Sequence, residues 1–421
     1  MNVRLALAAA PAALALAAGS AHGAGFYIQE QSVTGLGRAF AGEQAIGEDA
    51  STVYFNPAAM TELKGAEVQG GVHLLVPRAK VKDRGSRLTV RGTNLGPIGG
   101  NDGGNPYEPT PVPNFHAALP LADGRLWLGF SATAPFGLAS DYGQRWFGRY
   151  DSTETELKTY NFQPSIAYKL TDRLSVGGGI DIQYVDVTLE SAIPLTRTAD
   201  AIGRVEGDDL SAGINLGILY KPFDGTRVGL HYRSGVHHTI EGEQTVTSPL
   251  APTQRRGGRA ELDLPDIVAL GLAQQVTPQL TLLGSVTWFN WSTFDEIFVN
   301  TGSPTDREVR QNYVDTWAFS VGAQYKVTDA VTVRAGFQYD PTPTQDNFRT
   351  TRTPDGDRYW LAAGLTYSFG RLSVDAAYAH IFVNSEDINL VRPGPTGLTA
   401  VYNAETENAV DIFSIALRYR F

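Results

Sequence analysis

From about residue 65 to the C-terminus, apolar and polar residues alternate with a period of two. Val331-Thr-Val333-Arg-Ala335-Gly-Phe337-Gln-Tyr339 sends its apolar residues to one face and Thr332, Arg334, Gly336 and Gln338 to the other. Trp317 to Tyr325 and Tyr359 to Phe369 repeat the arrangement, with aromatics near the ends of the apolar face. Successive side chains on a strand point to opposite faces, so this period predicts β-strands. The runs hold about 9–11 residues, the length of a tilted strand crossing a bilayer; a soluble strand averages about 5–6.

The connections decide how the strands are arranged. Short polar links fall at Pro120 to Gly124, Leu170 to Asp172, Pro222 to Gly225, Val276 to Pro278, Val327 to Asp329 and Gly370-Arg371, each with Gly, Pro, Asp or Thr. Between them lie long connections, roughly 77–113, 136–156, 190–208, 236–258, 295–311, 341–356 and 383–410. Short and long alternate, as in an outer-membrane barrel with tight periplasmic turns and longer outer loops. Six short and seven long connections give fourteen strands, so both ends of the wall face the short-turn side. The expected fold is an all-β transmembrane barrel of 14 antiparallel strands over residues 65–421. The last strand ends on Phe421. A terminal aromatic is the kind of signal read by the outer-membrane assembly machinery, an expected partner together with outer-membrane lipid, including lipopolysaccharide.

Two stretches do not alternate. Residues 1–23 carry Arg4 and then an apolar run from Leu5 to Ala18, broken only by Pro11. That run is short for a membrane span and suits a signal peptide, with cleavage near Gly23. Residues 24–64 are rich in Gly and Ala and low in bulk. They are the part of the mature chain left without a strand to form, and are expected to plug the barrel lumen as a hatch.

Composition refines the picture. Mean hydropathy is mildly negative, which a barrel tolerates because its lumen-facing positions are polar. The 421 residues include 45 Gly, 18 Tyr and 19 Phe, and only 19% are charged. Net charge is -10, against a nucleic-acid partner. Cysteine is absent, which removes disulfides, thiolate chemistry and Cys-ligated metals. His237 and His238 are adjacent, so on a strand they face opposite ways and cannot share a metal. No nucleophile–base motif is evident, so neither an enzyme nor a cofactor is expected.

Ala24-Gly25-Phe26, Ser32-Val-Thr-Gly35-Leu36-Gly37-Arg38-Ala39 and Asn56-Pro57-Ala58 are similar to the N-terminal plug of the FadL family of outer-membrane transporters for long-chain fatty acids and other hydrophobic compounds. The resemblance continues through Phe136-Gly137-Leu138, Tyr232-Arg233-Ser234, Leu264-Pro265-Asp266 and Asp357-Arg358-Tyr359-Trp360 and spans the mature chain. It implies a fourteen-stranded barrel with a lumenal hatch, a monomer of the Gram-negative outer membrane. It also implies passive, ligand-gated uptake with lateral exit from a kinked third strand.

The candidate residues follow. Pro135 ends the run from Leu126; proline cannot donate to a ladder, so one neighbour loses its pairing there. With the resemblance, Ala134, Pro135, Phe136 and Gly137 become the expected lateral opening. Phe26, a bulky residue at the mature terminus, needs burial to be ordered, and the resemblance makes it a ligand contact. A carboxylate ligand needs a cationic partner; the candidates are Arg310 and the lumen-facing Arg334. Gly35, Gly37, Asn56, Pro57 and Ala58 are the expected hatch positions. The loops around 190–208 and 236–258 are expected to form an outer capture groove. Two other readings stand beside fatty-acid uptake: a channel for aromatic hydrocarbons, and a general diffusion porin.

Overall fold

The computed structural model describes residues 25–302 and 308–421; the leader 1–23, its cleavage point and Ala24 lie outside the described residues. Fourteen strands make the wall. They are β1 Glu67–Asp83, β2 Thr110–Leu121, β3 Leu126–Thr133, β4 Glu154–Lys169, β5 Leu174–Pro194, β6 Asp200–Tyr220 and β7 Thr226–Arg233. The second half is β8 Ile267–Gln275, β9 Leu280–Phe289, β10 Thr316–Lys326, β11 Val331–Asp340, β12 Arg358–Phe369, β13 Leu372–Val383 and β14 Ala404–Arg420. Each pairs antiparallel with its neighbours in sequence, and β1 pairs with β14 from Glu67↔Arg420 to Asp83↔Ala404, so the sheet closes. Closure leaves no open edge, which is what a membrane demands of backbone polar groups. No described helix is long and apolar enough to cross a membrane.

The alternation fixes which way side chains point. On β12, Leu361, Leu365, Tyr367 and Phe369 are exposed outward, while Arg358, Trp360, Ala362 and Thr366 are buried inward. Leu216, Ile218 and Tyr220 on β6 and Phe413, Ile415 and Leu417 on β14 extend the exposed apolar belt. A contiguous apolar belt on this scale is suited to lipid, not to water.

Several expected loops are strand instead. β5 runs to Pro194 and β6 begins at Asp200. A hairpin of His237–Ser248 and Ala251–Asp263 continues β7 and β8 upward. Above the belt both faces become more polar, so the hydrophobic period fades, while the ladder needs only a neighbouring backbone. The stretch expected as one strand between the connection 236–258 and the turn at Val276 is in turn broken at Leu264-Pro265-Asp266, and β9 ends at Phe289, before a 3-10 turn at Trp291–Thr293. On the same side, Arg87–Val90, Thr93–Pro97, Val391–Pro393 and Leu398–Val401 form a separate four-stranded sheet. Its underside packs with Trp146, which stacks on Tyr142 at 3.8 Å.

Residues 25–63 occupy the lumen, nearly all of them buried. Short helices Val33–Leu36, Glu43–Ile46 and Thr52–Phe55 are joined by tight turns, and Pro57–Glu62 is 3-10. Ser32 Oγ caps the first helix by accepting from the Gly35 amide at 2.9 Å, and Asn56 Oδ1 accepts from Ala58 at 3.1 Å. The wall meets this segment through glycine. Gly71, Gly129, Gly177, Gly217, Gly229, Gly271, Gly322, Gly336 and Gly364 face inward from nine different strands, and a Cβ on any of them would lie 1.8–3.3 Å from an atom of the segment. The abundant glycine thus serves backbone-to-backbone approach: Gly37 and Gly364 touch, and Gly177 faces the Ala58 amide.

Candidate functional site

The site begins where the third strand fails. β2 and β3 pair up to Phe115↔Ala132 and then separate. Beyond Pro135 the chain resumes as Gly137–Asp141, which pairs with β4. On the β4 side the register slips by one residue between Thr133↔Asn161 and Gly137↔Lys158, a bulge. The missing neighbour is supplied from inside. Ile28 donates to the Pro135 carbonyl at 2.7 Å and Gly137 to the Phe26 carbonyl at 2.9 Å. The Gln31 amide group donates to the Ala134 carbonyl at 2.9 Å and accepts from its N–H at 3.3 Å. Residues 26–31 therefore complete the hydrogen bonding of Ala134, Pro135 and Gly137, so that the break leaves fewer buried polar groups unmade.

Phe26 sits above this contact, 2% exposed. Its ring lies 6.0 Å from Phe136, 5.0 Å from Trp291 and 5.1 Å from Phe294, the last two edge-on. It forms one end of an apolar cavity of ≈ 750 Å³, mouth included. Leu138, Leu157, Val187, Leu189, Val205, Ile240, Leu262 and Ile297 supply most of the remaining wall. Leu138, Val205, Ile240 and Ile297 lie in stretches expected to be loop, while Leu157, Val187, Leu189 and Leu262 lie in stretches expected to be strand. The lining matches small-molecule pockets, which are mostly apolar with a few placed polar groups.

Among the described residues one cation lines this cavity, and the sequence did not single it out. Arg352 lies in the connection between β11 and β12, which folds inward: Thr350, Thr351, Thr353 and Asp355 are all buried. Its guanidinium donates to Thr155 Oγ1 at 2.8 Å, Ser152 Oγ at 3.2 Å and the carbonyls of Asp151, Glu154 and Glu190 at 2.9–3.3 Å. All of these acceptors are neutral, and among the described residues no ion pair holds it. Burial lowers its pKa to about 10, against the pull of Asp151. It remains charged at neutral pH and is short of a carboxylate.

The sequence candidates fall elsewhere. Arg310 is exposed and paired with Glu308 at 2.5 Å; its neighbour Gln311 reaches the cavity. Arg334 faces the lumen from β11, bonded to Glu48 of the inner segment at 2.9 Å and to Thr366 at 2.6 Å. It belongs to a set of fasteners. Arg38 pairs with Glu43 at 3.0 Å and also with Glu48. Burial works to raise the Glu48 carboxyl, and Arg334 and Arg38 outweigh it, holding it below the usual carboxylate range. Arg233 on β7 pairs with Asp181, donates to the Tyr54 carbonyl at 2.9 Å and covers the Tyr54 ring at 4.1 Å. Asn56 donates to the carbonyls of Gln44 at 2.6 Å and Ile218 at 3.0 Å, which ties the segment to β6. Gly35 and Gly37 are close-approach positions, against Glu43 and Gly364. Glu30 has no such partner: it is fully buried with both carboxylate oxygens unbonded among the described residues, and burial raises its pKa to about 8.

A closed antiparallel barrel with an apolar outer belt, a filled polar lumen and an apolar cavity defines the class: a transmembrane β-barrel that handles small apolar molecules. Residues 14–421 match the family described as "Outer membrane protein transport protein (OMPP1/FadL/TodX)", and the chain belongs to that family. It is an outer-membrane transport protein, not an enzyme. The long-chain fatty acid transport protein of Salmonella typhi is 30% identical over 442 residues, 97% of each chain. The crystal structure of a Pseudomonas aeruginosa FadL homologue superposes with a TM-score of 0.87 at 28% identity, covering 94% of this chain and 100% of that one. The Ralstonia pickettii toluene transporter TbuX shares the fold at a TM-score of 0.67 and 20% identity, over 92% of this chain and 97% of that one.

Proposed function

We propose that the protein takes up hydrophobic molecules passively, foremost long-chain fatty acids, and that the cavity between Phe26 and Arg352 is the binding site. The observation that carries this is the pairing of an apolar cavity with one buried cation whose present acceptors are all neutral. An acyl chain would fill the apolar part against Phe26, and its carboxylate would take over donors of Arg352. Arg310 and Arg334 are already committed to Glu308 and Glu48.

Residues 24–64 act as the hatch in this reading, and the barrel begins at 65. Phe26 touches the ligand while its own carbonyl holds Gly137 at the wall break. Ligand that displaces Phe26 loosens the bonds from Phe26, Ile28 and Gln31 to Ala134 through Gly137, and the gap beside β3 opens toward lipid. Movement is downhill throughout. The test is direct binding of a fluorescent long-chain fatty acid to the purified protein and to Arg352→Met. Tight binding to the parent, weakened at least tenfold in the variant, is expected. Equal affinity in both, or equal affinity of the parent for an alkane, would remove Arg352 from the site and favour a neutral aromatic or alkane cargo. Large steady conductance of the parent in a planar bilayer would favour a porin.

A further inference from the structure

The wall is interrupted a second time. β8 and β9 pair from Gln275↔Thr281 up to Ile267↔Phe289, with one more bond from Asn290 to the Asp266 carbonyl at 2.9 Å. Pairing returns only at Ala260↔Val299 and Arg259↔Asn300. Between these points, among the described residues, no backbone ladder joins 261–265 to 291–298. The cause is on both sides. Pro265 has no N–H to give. Across from it the carbonyls of Phe294 and Asp295 are taken by the amides of Tyr313 at 3.4 Å and of Gln311 and Asn312 at 2.6 and 2.9 Å, so this stretch has turned toward the next connection.

The gap has space on both faces. Outside it lies a cleft of ≈ 960 Å³ that reaches Glu261 and Phe294; the inner apolar cavity reaches the same two residues. The Phe294 ring, 7% exposed, stands between the two spaces and touches Phe26 at 5.1 Å. Both breaks begin about ten residues above the short turns, near Pro135 and Pro265. In the closed ring of fourteen strands the gap between β2 and β3 and that between β8 and β9 lie six strands apart, almost opposite each other. Phe26 lies between them, against Phe136 on one side and Trp291 and Phe294 on the other.

We propose that the gap between β8 and β9 is a second lateral opening onto the same cavity, so that ligand crosses the lumen from one wall break to the other. This rests on the reading of the cavity as a site for hydrophobic ligands. The outer rim carries Glu261, Asp263, Asp295 and Glu296 against Arg259. Such a rim repels an anionic head group and favours a protonated or uncharged single-chain amphiphile, entering tail first. Phe294 is the door, and its contact with Phe26 couples entry on this side to the hatch bonds at Pro135.

The chain has no cysteine, so the gap can be bridged cleanly. Asp263→Cys with Asp295→Cys is cross-linked by bis-methanethiosulfonate reagents of graded length, each thiolate forming a reducible disulfide as methanesulfinate leaves, and uptake of radiolabelled oleate and of oleyl alcohol into proteoliposomes is followed. Bridging should slow both probes at least fivefold, and cleaving the bridge should restore them. A bridge between Leu272→Cys and Gly284→Cys, ladder partners lower on the same strands, should change nothing. Phe294→Ala should speed uptake even where it weakens equilibrium binding; a ring that only lines the site would slow it. Normal uptake through the bridged gap overturns the second opening and leaves the functional reading intact. Absence of uptake by the unbridged parent overturns the functional reading, and the proposal with it.

Discussion

Gly336→Ala tests whether the lumenal segment is held by close approach of backbone. The added Cβ would lie 2.0 Å from the Arg38 carbonyl oxygen, 2.1 Å from its carbon and 2.7 Å from its Cα, where ordinary contact needs at least 3.4 Å. None of these atoms ends a flexible side chain, so the segment or the strand must move by more than about 1 Å, and such overpacking costs about 1–3 kcal/mol. Arg38 cannot yield alone, because its guanidinium is bonded to Ala41 at 2.9 Å and Thr34 at 3.1 Å and paired with Glu43 and Glu48. The strand cannot yield alone either, since β11 is laddered on both sides. The penalty therefore falls on docking of the segment, and shifts its docked-to-displaced ratio about 5- to 150-fold. Planar-bilayer recording is the assay: the variant should open far more often than the parent. Gly284→Ala, whose Cβ would have nothing nearer than 3.7 Å, is the control and should behave as the parent. A folded, heat-modifiable Gly336→Ala barrel that is as silent as the parent and binds ligand equally well would refute the reasoning.

Three further outcomes are expected. Arg352→Met should weaken fatty-acid binding about 10- to 100-fold, the worth of a buried charge-assisted bond of about 1.5–3 kcal/mol, and leave an alkane's affinity within about twofold, both read by isothermal titration. Glu30 is neutral in the docked segment up to about pH 8 but ionises near its ordinary 4.5 once released. The docked state then binds more protons than the released state across that window, so its stability falls as pH rises from 4.5 to 8. Glu30→Gln should flatten this slope, seen as amide-exchange protection of residues 28–31 corrected for intrinsic rate; an equal slope in both proteins counts against a buried neutral Glu30. Asn56→Ala should loosen the segment by about 1–3 kcal/mol, because the buried carbonyl of Gln44 and that of Ile218 each lose a donor; exchange of the Ala58 and Ala59 amides should quicken while the β1–β14 ladder stays protected.

Much of the wall was legible because lipid imposes one rule on every strand. Val331 to Tyr339 and Tyr359 to Phe369 show it plainly, and alternating connection lengths yield the strand number. The same rule stops at the membrane surface, so the end of β5, the start of β6 and most of the hairpin above β7 and β8 read as loop, although Val205, Gly207 and Ile240 there line the cavity. Pro135 was read as a break because it ends an apolar run. Pro265 carries the same chemistry in the middle of one, and its signal was the interruption of 260–275 by a residue that cannot donate. Arg352 left no comparable trace. It is one of two arginines in Phe348-Arg-Thr-Thr-Arg-Thr, and only the fold shows that Arg352 faces the cavity while Arg349, also buried, pairs with Asp346 at 2.8 Å and Glu386 at 3.6 Å.

Glu67 is the first residue of β1, and it is bound twice. One oxygen takes Arg420 of the final strand at 2.9 Å; the other accepts the Ala50 amide from within the lumen at 2.8 Å. A single carboxylate thus joins the start of the wall, its end and its contents. During biogenesis the order of events matters. A ring whose inner face meets its filling backbone to backbone leaves no slack for threading that filling into a finished cylinder. The last strand should therefore zip against the first around a core already in position, with Glu67 registering both at once. Biogenesis and gating would then share a part, and a lesion at this position should surface first as barrels that fail to seal.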